Sequence, residues 1–192
     1  YPAMNPLGVD SITRGVPGFD IDMNRIFPGS EEGAVTEHIA TQIMEDISGA
    51  DFCVDIHASN IFLREILQVR MSEGTAEQLL PYAKLLNTDF IWVHGAATVL
   101  ESTLAHGLNT SGVPTVVVEM GVGMRITKNY GLRLTEGILC LMKRLGIWEG
   151  ETIAPKEPMT SDNRKIGLVH ANTAGIFLPS MEHQGMVGVG ER

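Results

Sequence analysis

Basic and aromatic residues are scarce in this sequence. Fourteen Lys and Arg stand against 23 Asp and Glu, a formal net charge of −9 over 192 residues, and 6% of the residues are Phe, Trp or Tyr. Nucleic acids and anionic membrane surfaces both ask for clustered cations, so neither is an expected partner. The two cysteines, Cys53 and Cys140, sit inside the apolar runs Phe52-Cys53-Val54 and Leu139-Cys140-Leu141. Both read as buried free thiols of a reducing compartment, and with no signal peptide visible the expected location is cytoplasmic. No stretch reaches the ~18 to 20 uncharged apolar residues of a membrane span. The most apolar helical candidate, residues 132–148, carries Arg133, Glu136, Lys143 and Arg144. His-x-x-Glu, His-Glu-x-x-His and Cys-x-x-Cys pairs are absent, which removes the compact metal motifs, and so is Gly-x-Ser-x-Gly, which weakens a serine-hydrolase reading.

What remains is ordinary globular composition, with 44% hydrophobic residues, 21 Gly and 9 Pro. The length suits one domain with a small appendage. Residues 1–29 are punctuated by Gly and Pro without sustained periodicity, and read as a long structured loop rather than a helix or sheet. Ser30 is expected to cap a helix with Val35, Ile39, Ile43 and Ile47 as its apolar stripe, broadened by Ala40 and Met44, and Gly49 as its end. Residues 52–56 read as a buried strand, 65–70 as a weakly alternating one, 90–93 as a short one and 115–119 as the clearest. Helices are expected over 75–87, with Pro81 kinking it or marking its start, over 98–108, and over a segment presenting Leu134, Ile138, Leu141 and Leu145 before Gly146. Strands alternating with helices imply an α/β domain with a largely parallel sheet. Ligands of such sheets bind just past the strand C-termini, where His57 and Glu119 are expected to fall. A boundary is placed near residue 155, separating an α/β body (1–155) from a linker and short β-like runs (156–192). Those runs cover 166–170 and 175–178, with turns at Gly175, Gly185, Gly188 and Gly190, too little for a stable β domain alone.

Three polar segments carry candidate chemistry. In the first, Asp20-Ile21-Asp22-Met23-Asn24-Arg25 precedes Ile26 and Phe27, which anchor the loop. Asn24 and Arg25 offer a fork of donors suited to a carboxylate, and Arg14 could polarise a carbonyl or stabilise an oxyanion; a merely solvated loop is the alternative. In the second, His57 ends a strand with Asp55 two residues earlier on the same face, as a functional or a satisfied structural histidine. In the third, Glu119 follows three valines. A carboxyl there either caps the next turn or, with its pKa tending upward in an apolar crevice, serves as a general base.

In order along the chain, these segments resemble the succinylglutamate desuccinylase/aspartoacylase family, relatives of the zinc carboxypeptidases. Asn5-Pro6-x-Gly8, Arg14 and Asp22-x-Asn24-Arg25-x-Phe27-Pro28-Gly29 look like its substrate loop, Asp55-Ile56-His57 like its ligand strand, and Val118-Glu119-Met120-Gly121 like the strand of its catalytic glutamate. The resemblance spans residues 1–145, and more weakly 171–191, where Gly175-Ile176, Pro179 and Gly185 look like turns of the family's C-terminal β domain. It implies a three-layer α/β/α fold and a zinc-dependent hydrolase of the amide bond of small N-acyl amino acids. His57 would be a zinc ligand, Glu119 the general base, Arg14 the carbonyl polariser, Asn24 and Arg25 the clamp on a substrate carboxylate, and Asp22 the group orienting a metal-ligating histidine from elsewhere.

The family's other two zinc ligands lie in a His-x-x-Glu motif that this sequence does not contain. The chain is therefore expected to be a piece of a longer enzyme, truncated at both ends, binding zinc weakly or not at all and showing no turnover by itself, with exposed edges that favour self-association. Members acting on acyl-aspartate or acyl-glutamate carry a further Arg shortly before the glutamate. Residues 108–118 hold none, and Arg64 is the candidate substitute. Two other readings stand beside the deacylase: a zinc carboxypeptidase acting on peptides, and a metal-free domain that binds a carboxylate or a partner chain.

Overall fold

The computed structural model describes residues 1–95 and 100–178, together with positions 183, 185 and 187. Five strands form one sheet: β1 (Cys53–Ala58), β2 (Glu65–Ser72), β3 (Phe90–His94), β4 (Thr115–Gly121) and β5 (Met159–Asp162), in the order β1-β4-β2-β3-β5. β1 runs parallel to β4, β2 to β3 and β3 to β5, while β2 and β4 are antiparallel. The sheet is therefore mixed and mostly parallel, and the α/β expectation holds.

Helices cover both faces, because the strands carry two different faces. In β2, Leu67, Val69 and Met71 are buried and alternate with Gln68, Arg70 and Ser72, since successive side chains point to opposite sides of a strand. The apolar side packs with Val116 and Val118 of β4 against α3 (Glu73–Ala83) and α5 (Lys128–Arg144), through Leu79, Ala83, Leu134 and Leu141. A second apolar cluster lies elsewhere. It joins Val16, Met23 and Phe27 of the N-terminal loop to Ala40 and Ile43 of α2 (Val35–Ile47) and to Leu104 and Leu108 of α4 (Leu104–Thr110). α5 approaches the 3-10 turn Lys84–Leu86 so closely that a Cβ at Gly137 would overlap the Leu86 backbone.

Several local expectations change. Residues 1–29 are not all loop: α1 (Pro6–Ser11), capped by the Asn5 side chain on Gly8 N–H at 3.0 Å, and a 3-10 turn Met23–Arg25 interrupt them. Ser30 does not cap α2. Its hydroxyl accepts from Glu32 N–H at 3.3 Å, and α2 begins at Val35, where Glu37 reaches back to Ala34 N–H at 2.7 Å. The buried side of α2 is Thr36, Ala40 and Ile43, whereas Val35 and Ile39 are exposed, so the stripe is rotated by one position. β1 is half-buried rather than buried, because it pairs with β4 alone among the described strands. Cys53 on it is accordingly only partly buried, while Cys140 is buried, and both thiols are free.

Pro81 lies inside α3 and does not start it. α4 begins at Leu104, capped by Thr103, and the expected start at Thr98 lies outside the described residues. β5 hydrogen-bonds alongside β3 and so carries the sheet past the boundary expected near residue 155. Residues 166–178 contain no helix or strand; Pro179, Gly188 and Gly190 lie outside the described residues.

Candidate active site

The polar face of the sheet is laid out by register. His57 of β1 stands beside Glu119 of β4, and Glu119 stands beside Gln68 of β2. In the neighbouring row, Asp55, Val117, Arg70 and Trp92 follow one another across β1, β4, β2 and β3. His57 and Glu119 thus lie within their strands, on the sheet face, and not beyond the strand ends as expected. A cavity of about 580 Å³ opens over this face, lined by Arg14, Asn24, Arg25, His57, Arg70 and Glu119 among others. The structure brings together five of the six residues singled out in the sequence, from segments up to 105 positions apart (14 to 119). That volume suits a small-molecule ligand.

The N-terminal loop is fixed through Asn24. Its Oδ1 accepts from Leu104 N–H at 2.9 Å, occupying a free donor at the start of α4. With the carbonyl oxygen engaged, the Nδ2 amino group is the end left for a ligand. Arg25 is exposed at the rim and donates from Nη1 to its neighbour's carbonyl, Asn24 O, at 2.6 Å. The sixth residue, Asp22, is paired with Arg14. Its Oδ2 accepts from Nε and Nη2 of Arg14 at 3.1 and 2.9 Å, and its Oδ1 accepts from Asn24 N–H at 3.0 Å. Among the described residues no hydrogen bond joins Asp22 to a histidine; the Arg14 guanidinium, eight positions away, takes its carboxylate. Arg14 lines the cavity, and among the described residues nothing bonds its Nη1.

His57 Nε2 lies 2.9 Å from Oδ2 of Asp55, in a close polar contact whose angle falls outside hydrogen-bond geometry, and both atoms are shielded from solvent without another partner. Burial opposes protonation of His57, but the Asp55 contact and the charges of Asp55, Glu119 and Asp22 outweigh it and hold its pKa above the ordinary value. For Glu119, burial is the largest influence and raises its pKa; Arg70 and His57 pull the other way, and Glu65 and Asp55 add to the rise. A carboxyl tuned upward in a cleft is what general-base chemistry near neutral pH requires.

Arg70 was not foreseen. Its Nη2 donates to Glu65 Oε2 at 2.7 Å, its Nη1 lies 3.4 Å from Glu119 Oε1, and its guanidinium sits 5.2 Å over the Trp92 ring. The cation beside the glutamate is thus Arg70, and the proposed substitute Arg64 does not line the cavity. The signal was the alternation Gln68-x-Arg70-x-Ser72 between Leu67, Val69 and Met71, which marks a polar sheet face.

Catalytic zinc takes about three protein ligands. His57 offers one imidazole, and no group of three or more His, Cys, Asp or Glu side chains among the described residues is arranged to hold an ion. By themselves these residues do not fit a catalytic zinc, and no step below runs through one. No helix among the described residues is long and apolar enough to cross a membrane.

A mixed sheet with helices on both faces and an open cavity over one of them defines an α/β domain with a candidate ligand site. The chain belongs to the succinylglutamate desuccinylase/aspartoacylase family, whose catalytic-domain model matches residues 1–145. The ectoine utilisation protein EutE (DoeB) of Ruegeria pomeroyi, in its product-bound structure, is similar at a TM-score of 0.75 and 22% identity over 84% of this chain and 50% of that one. A succinylglutamate desuccinylase/aspartoacylase of Rhodobacter sphaeroides gives 0.71 and 24% over 84% and 49%. A succinylglutamate desuccinylase of Silicibacter sp. TM1040 gives 0.73 and 21% over 83% and 49%. The chain spans about half the length of these structures. No curated protein matches it significantly.

Proposed function

We propose that the chain carries the substrate loop and the general base of a hydrolase that cleaves the amide bond of small N-acyl amino acids. The observation behind this reading is the convergence of Glu119 with the free donors of Arg14, Asn24 and Arg25 on one cavity. Arg25 and the Asn24 amino group hold the substrate carboxylate, since planar guanidinium and amide donors match a carboxylate in geometry as well as charge. Glu119 takes a proton from water as the water oxygen bonds to the acyl carbon. The free Nη1 of Arg14 faces the carbonyl oxygen as it gains negative charge. When the C–N bond breaks, Glu119 returns the proton to the departing nitrogen, leaving a carboxylic acid and an amine. Asp22 holds Arg14 in place through the two bonds described above.

Zinc remains part of the proposal with His57 as one ligand, although no group of three or more His, Cys, Asp or Glu side chains among the described residues could hold it. The test is a panel of N-acyl amino acids and C-terminal dipeptides offered to the full-length protein. Hydrolysis of the acyl amino acids supports the deacylase. Hydrolysis of the dipeptides alone makes it a carboxypeptidase, and binding without turnover of either makes it a carboxylate-binding domain.

A further inference from the structure

Arg70 is the one cation of the cavity that comes from the middle of the sheet, and the function proposed above leaves it without a task. Its place is fixed from three directions. Glu65 Oε2 takes Nη2 at 2.7 Å, and that oxygen is itself held by Gln68 Nε2 at 2.9 Å. Trp92, its cross-strand partner in β3, lies under the guanidinium at 5.2 Å. On the cavity side, Nη1 faces Oε1 of Glu119 at 3.4 Å, while Arg70 Nε is shielded from solvent with no partner among the described residues. Among the described residues nothing bonds Oε2 of Glu119. The guanidinium thus addresses one oxygen of the carboxylate and leaves the other open.

We propose that Arg70 is a positioning residue, which holds Oε1 of Glu119 so that Oε2 is the oxygen presented to the reacting water. Arg suits this task where Lys does not. The planar fork keeps Nη2 on Glu65 and Nη1 on Glu119 at once, with its Cζ 5.2 Å from the centre of the indole, whereas an ammonium is a single point of charge on a mobile stem. Glu65 and Trp92 serve by denying the guanidinium other rotamers. Geometry of this kind governs rate: a misplacement of about 1 Å in a reacting group costs up to about 100-fold. The proposal rests on Glu119 being the base, so its test separates the two ideas.

The test has two arms. In the first, Trp148→Phe leaves Trp92 as the sole tryptophan, and its emission is recorded for Glu119→Gln with Arg70 present and in an Arg70→Met background. Holding of Glu119 by Arg70 predicts that Glu119→Gln shifts the emission only when Arg70 is there. An equal shift in both backgrounds, or none in either, overturns the proposal without reference to activity. In the second arm, Arg70→Lys in the full-length protein is assayed on an N-acetyl amino acid that the wild type hydrolyses. The expected result is a kcat reduced by about 10- to 100-fold with KM within about twofold, the pattern of a lost transition-state arrangement. A raised KM with unchanged kcat assigns Arg70 to substrate binding and overturns the proposal. Wild-type inactivity on every acyl amino acid would sink the deacylase reading, and the fluorescence arm would still decide Arg70. Arg70→Lys keeps the charge and guards against a variant that merely unfolds.

Discussion

Asp89→Asn removes the charge at a junction of three elements. Asp89 sits just before β3 and takes both ends of the Arg133 fork from α5, Nη1 at 2.9 Å and Nη2 at 3.0 Å, and Lys156 Nζ from the segment entering β5 at 2.6 Å. The Arg133 pair is mostly enclosed, with side-chain exposures of 20% for Arg133 and 10% for Asp89, whereas Lys156 is 59% exposed and adds little. Breaking an enclosed pair costs about 3–5 kcal/mol. Here Arg133 Nη2 keeps a bond to Asn87 O at 2.9 Å, and an Asn side chain still offers one acceptor, so the expected loss falls to about 2 kcal/mol. In urea, with a slope of roughly 2 kcal/mol/M, the midpoint moves down by about 1 M.

The pH dependence gives a second check. Burial raises the Asp89 pKa, but the bonds to Arg133 and Lys156 outweigh it and hold it below 3.8. A depressed native pKa contributes stability that is present above the unfolded value of 3.8 and is lost as pH falls through the native one. The gap between wild type and Asp89→Asn is therefore full at pH 7 and closes progressively below about pH 4. Urea melts at pH 7, 5, 4 and 3 measure it. A gap under about 0.5 kcal/mol at pH 7, or one that stays constant down to pH 3, refutes the reasoning.

Gly137→Ala places a Cβ into the Leu86 backbone, which cannot swing aside as a side chain would, and should cost about 1–3 kcal/mol in a thermal or urea melt. The Cys53 thiol is pushed up to about 11, chiefly by burial with help from the Asp55 charge, so its thiolate is scarce at pH 8. Alkylation followed by mass spectrometry should label it about 100-fold more slowly in the native chain than in urea, and equal rates would show an open site. Isothermal titration of zinc into this chain should show no tight stoichiometric binding, because no three-ligand group exists among the described residues. A tight one-to-one isotherm would contradict that.

How much of this was legible beforehand depended on whether the signal was local. β4 was plain because Val116, Val117 and Val118 are β-branched and Val116 and Val118 are fully buried, and α5 because Leu134 and Leu141 recur at helical spacing and end at Gly146. The anchoring of the N-terminal loop by Phe27 was equally readable, since that residue is 5% exposed. The start of α2 was misplaced because Ser30 and Glu32 form a local turn that mimics a cap, while Glu37 closes the true start. The antiparallel pairing of β2 with β4 is long-range, and with it the seating of Arg70 beside Glu119 across 49 positions; no single segment advertises either. The pairing of Asp22 with Arg14, eight positions apart in an irregular loop, follows no periodicity and so was not readable. The resemblance itself, resting on three short segments, agrees with the family match over residues 1–145.

In the proposed amide hydrolysis, Glu119 moves the proton. The direct measurement is kcat of the full-length protein on an N-acyl amino acid, wild type against Glu119→Gln, with circular dichroism confirming that the variant is folded. Glutamine keeps the shape and loses the proton acceptor, so kcat should fall by about 10²- to 10⁴-fold. A variant that retains wild-type kcat would show that Glu119 is not the base.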